Sequence, residues 1–157
     1  MYMYKNILIS ILAFLSLNAM AQSTLTITHG EIPKPTLLDH GEPGRSVGDI
    51  RIWNFDAKAS NGDTVNTNWI MTTTGINQSK GIEQRVITGA FYFNNNTDNQ
   101  ILIQGVAEYK ITKAALEEST ATRRAIIGGT GKYANAQGWM ETKHLPNGSW
   151  QHVLNLK

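Results

Sequence analysis

Short alternating segments separated by turn residues fill almost the whole chain, and this pattern restricts it to an all-β fold. Residues Ser23 to His29 place threonines on one side and Leu25 and Ile27 on the other, which is the two-residue period of a half-buried strand. Seven further segments rich in β-branched or aromatic residues follow: 49–55, 64–74, 82–93, 100–109, 123–127, 137–144 and 149–156. Eight short strands predict an antiparallel up-and-down β-barrel, a calyx of the lipocalin type, with a β-sandwich as the alternative.

Two of the connections between these segments are unusual. Residues 31–47 contain three prolines and two glycines, which oppose both helix and strand ladders, so this stretch is a long irregular connection placed to act as a lid. Residues 111–119 all favour helix, and the pattern predicts a helix of about two turns.

The first 21 residues have the order of a secretory signal peptide. Lys5 gives a positive start, residues 7–17 are mostly apolar, and Ala19-Met20-Ala21 is a small-residue cleavage site. The apolar run is shorter than the roughly 20 residues that span a bilayer. We therefore expect cleavage after Ala21, no stable membrane insertion afterwards, and a secreted or periplasmic single β-barrel domain formed by residues 22–157.

Composition excludes several classes of function. The 157 residues include no cysteine, so the chain has neither a disulfide nor a thiolate ligand for a metal. A formal net charge of +2, with 17% charged residues, gives no basic surface for nucleic acid. The four histidines lack the short paired spacing of a zinc site. We expect no metal and no nucleic-acid partner.

A glycine cluster follows the sixth predicted strand. The phosphate-loop spacing is not met, because Ile126 stands where its first glycine belongs and Tyr133 where its hydroxyl residue belongs. The dinucleotide spacing is matched only as far as Ala134, and the following residues read as strand where that motif needs a helix. No nucleophile elbow is present. We expect no organic cofactor, and a tight barrel corner whose structural glycines are Gly128, Gly129, Gly131 and Gly138.

The segment AIIGGTGKYANAQG, residues 125–138, resembles the glycine corner shared by dirigent proteins and allene oxide cyclase barrels, including bacterial-type members. Residues 48–50 resemble the Gly-Asp opening of that family's second strand, and residues 101–105 resemble another of its strands. The resemblance covers most of residues 47–138. It implies an eight-stranded antiparallel barrel with a small-molecule cavity, assembled as a trimer.

The residues behind the family's activities are not all present. Aligning the family's first-strand proline with Pro35 places Thr26 and Thr28 where plant cyclases carry Glu and Asn, and the cavity cysteine of those enzymes is missing. Dirigent proteins place an Arg followed by Glu before the corner, whereas Arg123 and Arg124 have no acid between them and Ala125. The resemblance therefore implies a small-molecule site without fixing its reaction.

Candidate site residues come from strand parity and residue type. Asp49, Arg51 and Trp53 share one strand face and together would orient a small polar substrate, although Arg51 also suits an outward salt-linked surface. One of Arg123 and Arg124 must point inward in a regular strand, and parity alone does not say which. We expect Asp49 and Arg124 to be catalytic. The expected ligand-binding residues are Arg51, Trp53, Arg123, Trp69 and Tyr92.

These features predict an exported barrel that binds a small, largely apolar organic ligand. The expected chemistry is that of a cofactor-independent cyclase, isomerase or stereochemical guide, since the chain offers no complete nucleophile, metal or nucleotide motif. The alternative is a noncatalytic extracytoplasmic binding or interaction module. His29, beside Glu31, suits either a proton-transferring pair or a solvated strand end.

Overall fold

The computed structural model describes residues 23–157, and the expected signal peptide lies outside the described residues. Nine strands are present among the described residues: β1 (Ser23–His29), β2 (Thr36–Leu38), β3 (Ile50–Ala59), β4 (Thr64–Asn77), β5 (Ile82–Phe93), β6 (Asn96–Lys110), β7 (Thr120–Gly129), β8 (Gly138–His144) and β9 (Trp150–Leu156). Two 3-10 turns, Gln78–Lys80 and Gly131–Tyr133, interrupt the connections.

The sheet closes on itself. Its strand order is β1-β9-β8-β7-β6-β5-β4-β3-β2, and β1 also pairs with β3 through Ile27 opposite Ala59 and Thr28 opposite Lys58. All pairings are antiparallel, and the short β2 pairs with the beginning of β3, which β1 does not reach. The predicted eight-stranded up-and-down barrel is confirmed, and the sandwich alternative is wrong because closure between β1 and β3 leaves one continuous wall.

Strict alternation along the strands fills much of the barrel interior. In β5, for example, Ile87, Gly89, Phe91 and Phe93 are buried while the alternate residues Thr88, Ala90 and Tyr92 face outward. The apolar interior side chains with no exposed surface are Ile27, Ile87, Phe91, Phe93, Ile101, Ile103, Met140 and Leu154. These residues pack the middle and one end of the barrel, and a cavity lies at the opposite end, where β1 ends and β9 begins. We call this end the mouth.

The glycine corner closes the filled end, as predicted. β7 ends at Gly129, a 3-10 turn follows, and β8 starts at Gly138. Gly131 and Gly138 have positive φ values of 57° and 133°. A Cβ on Gly138 would lie 1.9 Å from the backbone oxygen of Asn155 in the neighbouring strand, so only glycine allows this close approach.

The predicted helix at residues 111–119 is wrong, since this segment is irregular. A two-turn helix has little stability of its own, and here the carbonyl groups that would bond within it have other partners. The Arg85 guanidinium donates to the oxygens of Lys113 and Ala114, and His144 Nδ1 lies 2.9 Å from the oxygen of Leu116. No helix among the described residues is long and apolar enough to cross a membrane.

Candidate ligand site at the mouth of the barrel

A small cavity lies inside the mouth. Its volume is about 40 Å³, enough for about three water molecules by the usual measure. Its walls are mostly apolar and aromatic. They come from seven of the strands and from two irregular segments that bear Ile32 and Leu116. The lining residues are His29, Ile32, Trp53, Phe55, Trp69, Met71, Tyr109, Ala115, Leu116, Arg124, Thr142, Trp150 and His152.

Two irregular segments cover the cavity. Trp53 Nε1 donates to the oxygen of Pro33 at 2.9 Å, which holds the segment bearing Ile32 across the mouth. The segment bearing Leu116 is held by Arg85 from the other side. Outside them lies a cleft of about 920 Å³ that shares Ile32, Ala115, Leu116 and Trp150 with the cavity. These shared, mostly apolar side chains form a partition between the cavity, which is itself partly open, and a much larger cleft.

The aromatic walls depend on one glycine position. Trp53 and Trp69 are direct cross-strand neighbours and both are buried. A Cβ on Gly89, opposite Trp69, would lie 2.4 Å from the indole ring, so the absence of a side chain there lets the ring lie against the sheet. Trp69 also meets Phe91 edge to face, with ring centroids 5.4 Å apart. Flat rings thus form two adjoining walls of the cavity.

A chain of hydrogen bonds crosses the cavity wall from one barrel strand to the next. Arg124 Nη1 donates to Thr142 Oγ1 at 3.1 Å, and Thr142 Oγ1 lies 2.9 Å from His152 Nδ1. His152 Nε2 lies 3.0 Å from His29 Nε2, and His29 Nδ1 lies 2.9 Å from the oxygen of Gly30. This chain joins β7, β8, β9 and β1.

The partners at the two ends fix the direction of the chain when both imidazoles are neutral. The Gly30 oxygen can only accept, so His29 carries its proton on Nδ1 and its Nε2 accepts. His152 must then donate from Nε2 and accept at Nδ1 from the Thr142 hydroxyl. Every link then runs one way, from a guanidinium that can only donate to a carbonyl that can only accept.

Both imidazoles are held neutral by their surroundings. Burial lowers the pKa of His152 well below its ordinary value, and the positive charge of Arg124, together with that of His29 whenever His29 is protonated, lowers it further. Burial also lowers the pKa of His29, although the backbone oxygen of Gly30 offsets part of this effect. Both imidazoles are therefore free bases at neutral pH, and the lowered pKa of His152 makes it a weaker base that gives up an accepted proton readily.

Arg124 is the interior member of the two neighbouring arginines. It is 4% exposed, and its Nη2 donates to the Tyr109 hydroxyl at 2.8 Å. Its side-chain stem passes over Gly105, where a Cβ would lie 3.1 Å from Arg124 Cγ. The Nε atom of Arg124 is buried without a hydrogen-bond partner.

A second polar cluster lies beside the cavity and does not line it. Glu83 is fully buried and pairs with Arg85, while Arg51 Nη2 lies 3.5 Å from Glu83 Oε1 and 4.0 Å from Asp49 Oδ2. Asp49 accepts the backbone amides of His40 and Ser46 at 3.0 and 3.1 Å. This cluster therefore fixes the loop before β3 and, through Arg85, the segment over the mouth.

The sequence-predicted residues thus separate into three groups. Trp53, Trp69 and Arg124 line the cavity. Asp49 and Arg51 are buried beside the cavity. Asp49 binds the covering loop, and Arg51 pairs with Glu83. The outward alternative for Arg51 is wrong.

Arg123 and Tyr92 lie on the outer face of the barrel, away from the expected ligand. Arg123 has a side chain 70% exposed, and it pairs with Glu141 and lies over the Trp139 ring. Tyr92 stands between the inward Phe91 and Phe93, so alternation turns it outward. The prediction that these two residues line the cavity is corrected by the strand parity.

The sequence did not predict three polar residues of the site. Tyr109, Thr142 and His152 line the cavity, and the available signal was their place in the alternating pattern of β6, β8 and β9. Parity alone marks many such positions, so it did not single these out. No group of three or more His, Asp or Glu side chains in residues 23–157 is arranged to hold a metal ion.

Comparison with solved structures shows the same barrel in other proteins. A pyocyanin demethylase matches with a TM-score of 0.62 at 18% sequence identity, over 87% of this chain and 99% of that one. A pterocarpan synthase dirigent protein matches with a TM-score of 0.51 at 17% identity, over 98% of this chain and 94% of that one. No protein-family model and no curated protein matches this chain. The chain therefore has the dirigent and allene oxide cyclase-like barrel fold.

Proposed function

We propose that this protein is an exported barrel that binds a flat, largely apolar organic molecule in the mouth cavity and catalyses its cofactor-independent isomerisation or cyclisation. The observation that carries the proposal is the hydrogen-bonded chain from Arg124 to His29 on the wall of an otherwise aromatic cavity. Enclosed apolar cavities with a few convergent polar groups are the usual form of small-molecule sites.

The residues present can serve both halves of a proton transfer. An isomerisation removes a proton from one atom of the substrate and returns a proton to another. Thr142 can pass a substrate proton to the neutral His152, because its hydroxyl already donates to Nδ1. Tyr109 can supply a proton, since its oxygen accepts from Arg124 and its own hydrogen is left for a ligand. Exchange with solvent then removes the proton gained by His152 and returns one to Tyr109, which restores both groups for the next turnover. Shape and these groups are the proposed means of catalysis.

Two further observations support a role with small organic molecules. One structural neighbour is named a pyocyanin demethylase and the other a pterocarpan synthase dirigent protein, so the same barrel serves chemistry on such molecules in other proteins. The large cleft outside Ile32 and Leu116 offers a route of entry once these side chains separate. Because the cavity volume is small, binding of an organic molecule requires that separation.

The proposal is tested by native mass spectrometry of the purified protein after exposure to extract of its own producing culture. We expect one retained compound. Because isomerisation or cyclisation leaves its mass unchanged, its conversion is followed by chromatography that separates the isomers, and His152→Gln should convert it at least about 100-fold more slowly than the wild type. The control is Gln104→Glu, on the exposed outer face of β6. A compound that is retained and never converted would support the binding role and contradict the catalytic one. Export is tested separately, because the intact mass of the exported protein shows whether it starts at Gln22 as expected.

A noncatalytic interaction role is the second candidate, and one feature of the outer wall favours it. Apolar side chains there form a band that we call the outer strip: Leu38, Ile50, Ile52, Ile70, Val86 and Val106. Ile52 and Ile70 are direct neighbours, and Val106 is 58% exposed. We propose that this strip mediates self-association, as the resemblance to trimeric barrels implies. In light scattering, a lower molecular mass for Ile70→Lys than for the wild type would support self-association through the strip, and equal masses would contradict it.

A further inference from the structure

The buried charges at the mouth do not balance. Three guanidinium groups and two carboxylates are buried in the described residues: Arg51, Arg85 and Arg124 against Asp49 and Glu83. The two carboxylates are taken by Arg51, Arg85 and the covering loop. The surplus positive charge therefore belongs to Arg124.

Arg124 has no acidic partner among residues 23–157. None of the ion pairs formed by residues 23–157 includes it, and residues 1–22 contain neither Asp nor Glu. Its contacts are the neutral oxygens of Thr142 and Tyr109 and, at 5.8 Å, the face of the Trp69 ring. A buried charge with only neutral partners is costly, so such a group favours a counter-ion.

We propose that the ligand carries an anionic oxygen, as a carboxylate or phenolate on a flat apolar body, and that this oxygen pairs with Arg124. The inference deepens the proposed function and rests on the mouth cavity being the binding site. Arg124 lines that cavity, and its buried Nε is a donor without an acceptor. Tyr109 stands beside it with a hydroxyl hydrogen free to join the same oxygen. Trp53 and Trp69 then contact the apolar body.

Benzoate and benzamide form a matched pair of probes because they differ in charge and hardly in shape. We expect the wild type to bind benzoate at least about tenfold more tightly than benzamide, measured by titration calorimetry and by fluorescence of the cavity tryptophans. Arg124→Met should weaken benzoate binding at least about 30-fold and leave benzamide binding almost unchanged. Arg123→Met, the adjacent exposed arginine, is the matched control and should bind both probes as the wild type does.

The possible outcomes separate this inference from the proposed function. Equal wild-type affinity for the two probes overturns the anionic ligand and leaves a binding cavity intact. Loss of the benzoate preference in Arg123→Met as well as in Arg124→Met would also overturn it, since the contact would be on the surface. If neither probe binds, the inference fails, and the native mass spectrometry above decides separately on the proposed function.

A wild-type measurement removes dependence on the folding of any variant. Bound 4-nitrophenol should show the absorption of its phenolate at a pH where the free phenol is protonated, because Arg124 favours the anion. Arg124→Lys should retain part of this shift, since it keeps the charge and loses the planar fork. A bound phenol whose spectrum stays that of the neutral form would contradict the inference.

Discussion

Replacing Glu83 with glutamine removes the charge on which the buried cluster depends. Glu83 pairs with Arg85, lies 3.5 Å from Arg51 and 3.8 Å from the half-buried Arg45, and accepts from Thr73 Oγ1 at 3.2 Å. Glutamine keeps the shape and one acceptor oxygen. The guanidinium groups of Arg51 and Arg85, both almost without exposed surface, then share no buried carboxylate other than that of Asp49.

The magnitude follows from leaving buried charges uncompensated. Breaking a buried ion pair by removing one partner costs about 3–5 kcal/mol. A domain of this size has a free energy of unfolding of roughly 5–15 kcal/mol, so Glu83→Gln should remove a large share of it. At about 3–5 °C per kcal/mol, the melting temperature should fall by roughly 10–20 °C. The segment held by Arg85 should also become more sensitive to protease.

Chemical and thermal denaturation followed by tryptophan fluorescence measure this change. The matched control is Glu108→Gln on the next strand, where the carboxylate is exposed and has Gln84 as its hydrogen-bond partner. That control should lie within about 0.5 kcal/mol of the wild type. If Glu83→Gln is as stable as Glu108→Gln, the buried cluster does not carry the energy that its geometry implies, and this reasoning is refuted.

Three further predictions concern acid, the corner and the partition. Because burial lowers the pKa of His152 in the folded state, the unfolded chain binds more protons below about pH 6.5, and stability should fall there by up to about 1.4 kcal/mol per pH unit. Denaturation at several pH values should show this slope in the wild type and a shallower slope in His152→Gln. Gly138→Ala should destabilise the barrel by about 3 kcal/mol, whereas Gly62→Ala, at positive φ with open space around it, should cost about 1 kcal/mol by the same assay. Leu116→Ala should speed benzoate entry in stopped-flow measurements by thinning the partition, and an unchanged rate would place the entry route elsewhere.

The strands could be predicted from the sequence because each of them carries its own signal. Residues 82–93 were expected as a strand and form β5 with those same bounds. The period of two decides which side chains point inward, and turn residues such as Asn61 and Gly62 set where strands end. Both signals are local, so one sequence suffices for the eight strands of the barrel wall, with limits that differ by up to four residues. The three-residue β2 carries no such signal and lies in the stretch predicted to be an irregular connection.

The helix predicted for the segment over the mouth is wrong because the conformation of that segment is decided by distant contacts, not by its own residues. Residues 111–119 have helical propensity, but their conformation is decided by Arg85, which lies more than 25 residues earlier in the chain and donates to their carbonyl groups. Propensities of a few tenths of a kilocalorie per residue cannot compete with a buried, charged donor. Such a contact has no local signal.

The candidate site could not be predicted for the same reason, since its residues come together only in the folded chain. His29 and His152 are 123 residues apart in sequence and meet only because β1 and β9 are neighbours in the closed barrel. The sequence narrows the inward-facing arginine to Arg123 or Arg124, and the burial in the structure shows that it is Arg124. The sequence predicts a catalytic role for Asp49, yet this residue does not line the cavity, and its oxygens bind backbone amides that no sequence pattern places beside it.

The direction of the hydrogen-bond chain determines what protonation at the mouth does. His29 is the partly exposed member, and once protonated it must donate from Nε2, so His152 must accept there and carry its own proton on Nδ1. Thr142 Oγ1 then accepts from both His152 and Arg124, and its hydrogen is released toward the cavity. One proton taken up at the mouth thus presents a new hydroxyl donor to the ligand while the added charge stays at His29. The ¹⁵N shifts of the two imidazoles on acidification should show a charged His29 beside a neutral, Nδ1-protonated His152. An unchanged His152 tautomer would contradict the coupling between protonation of His29 and the hydroxyl presented to the cavity.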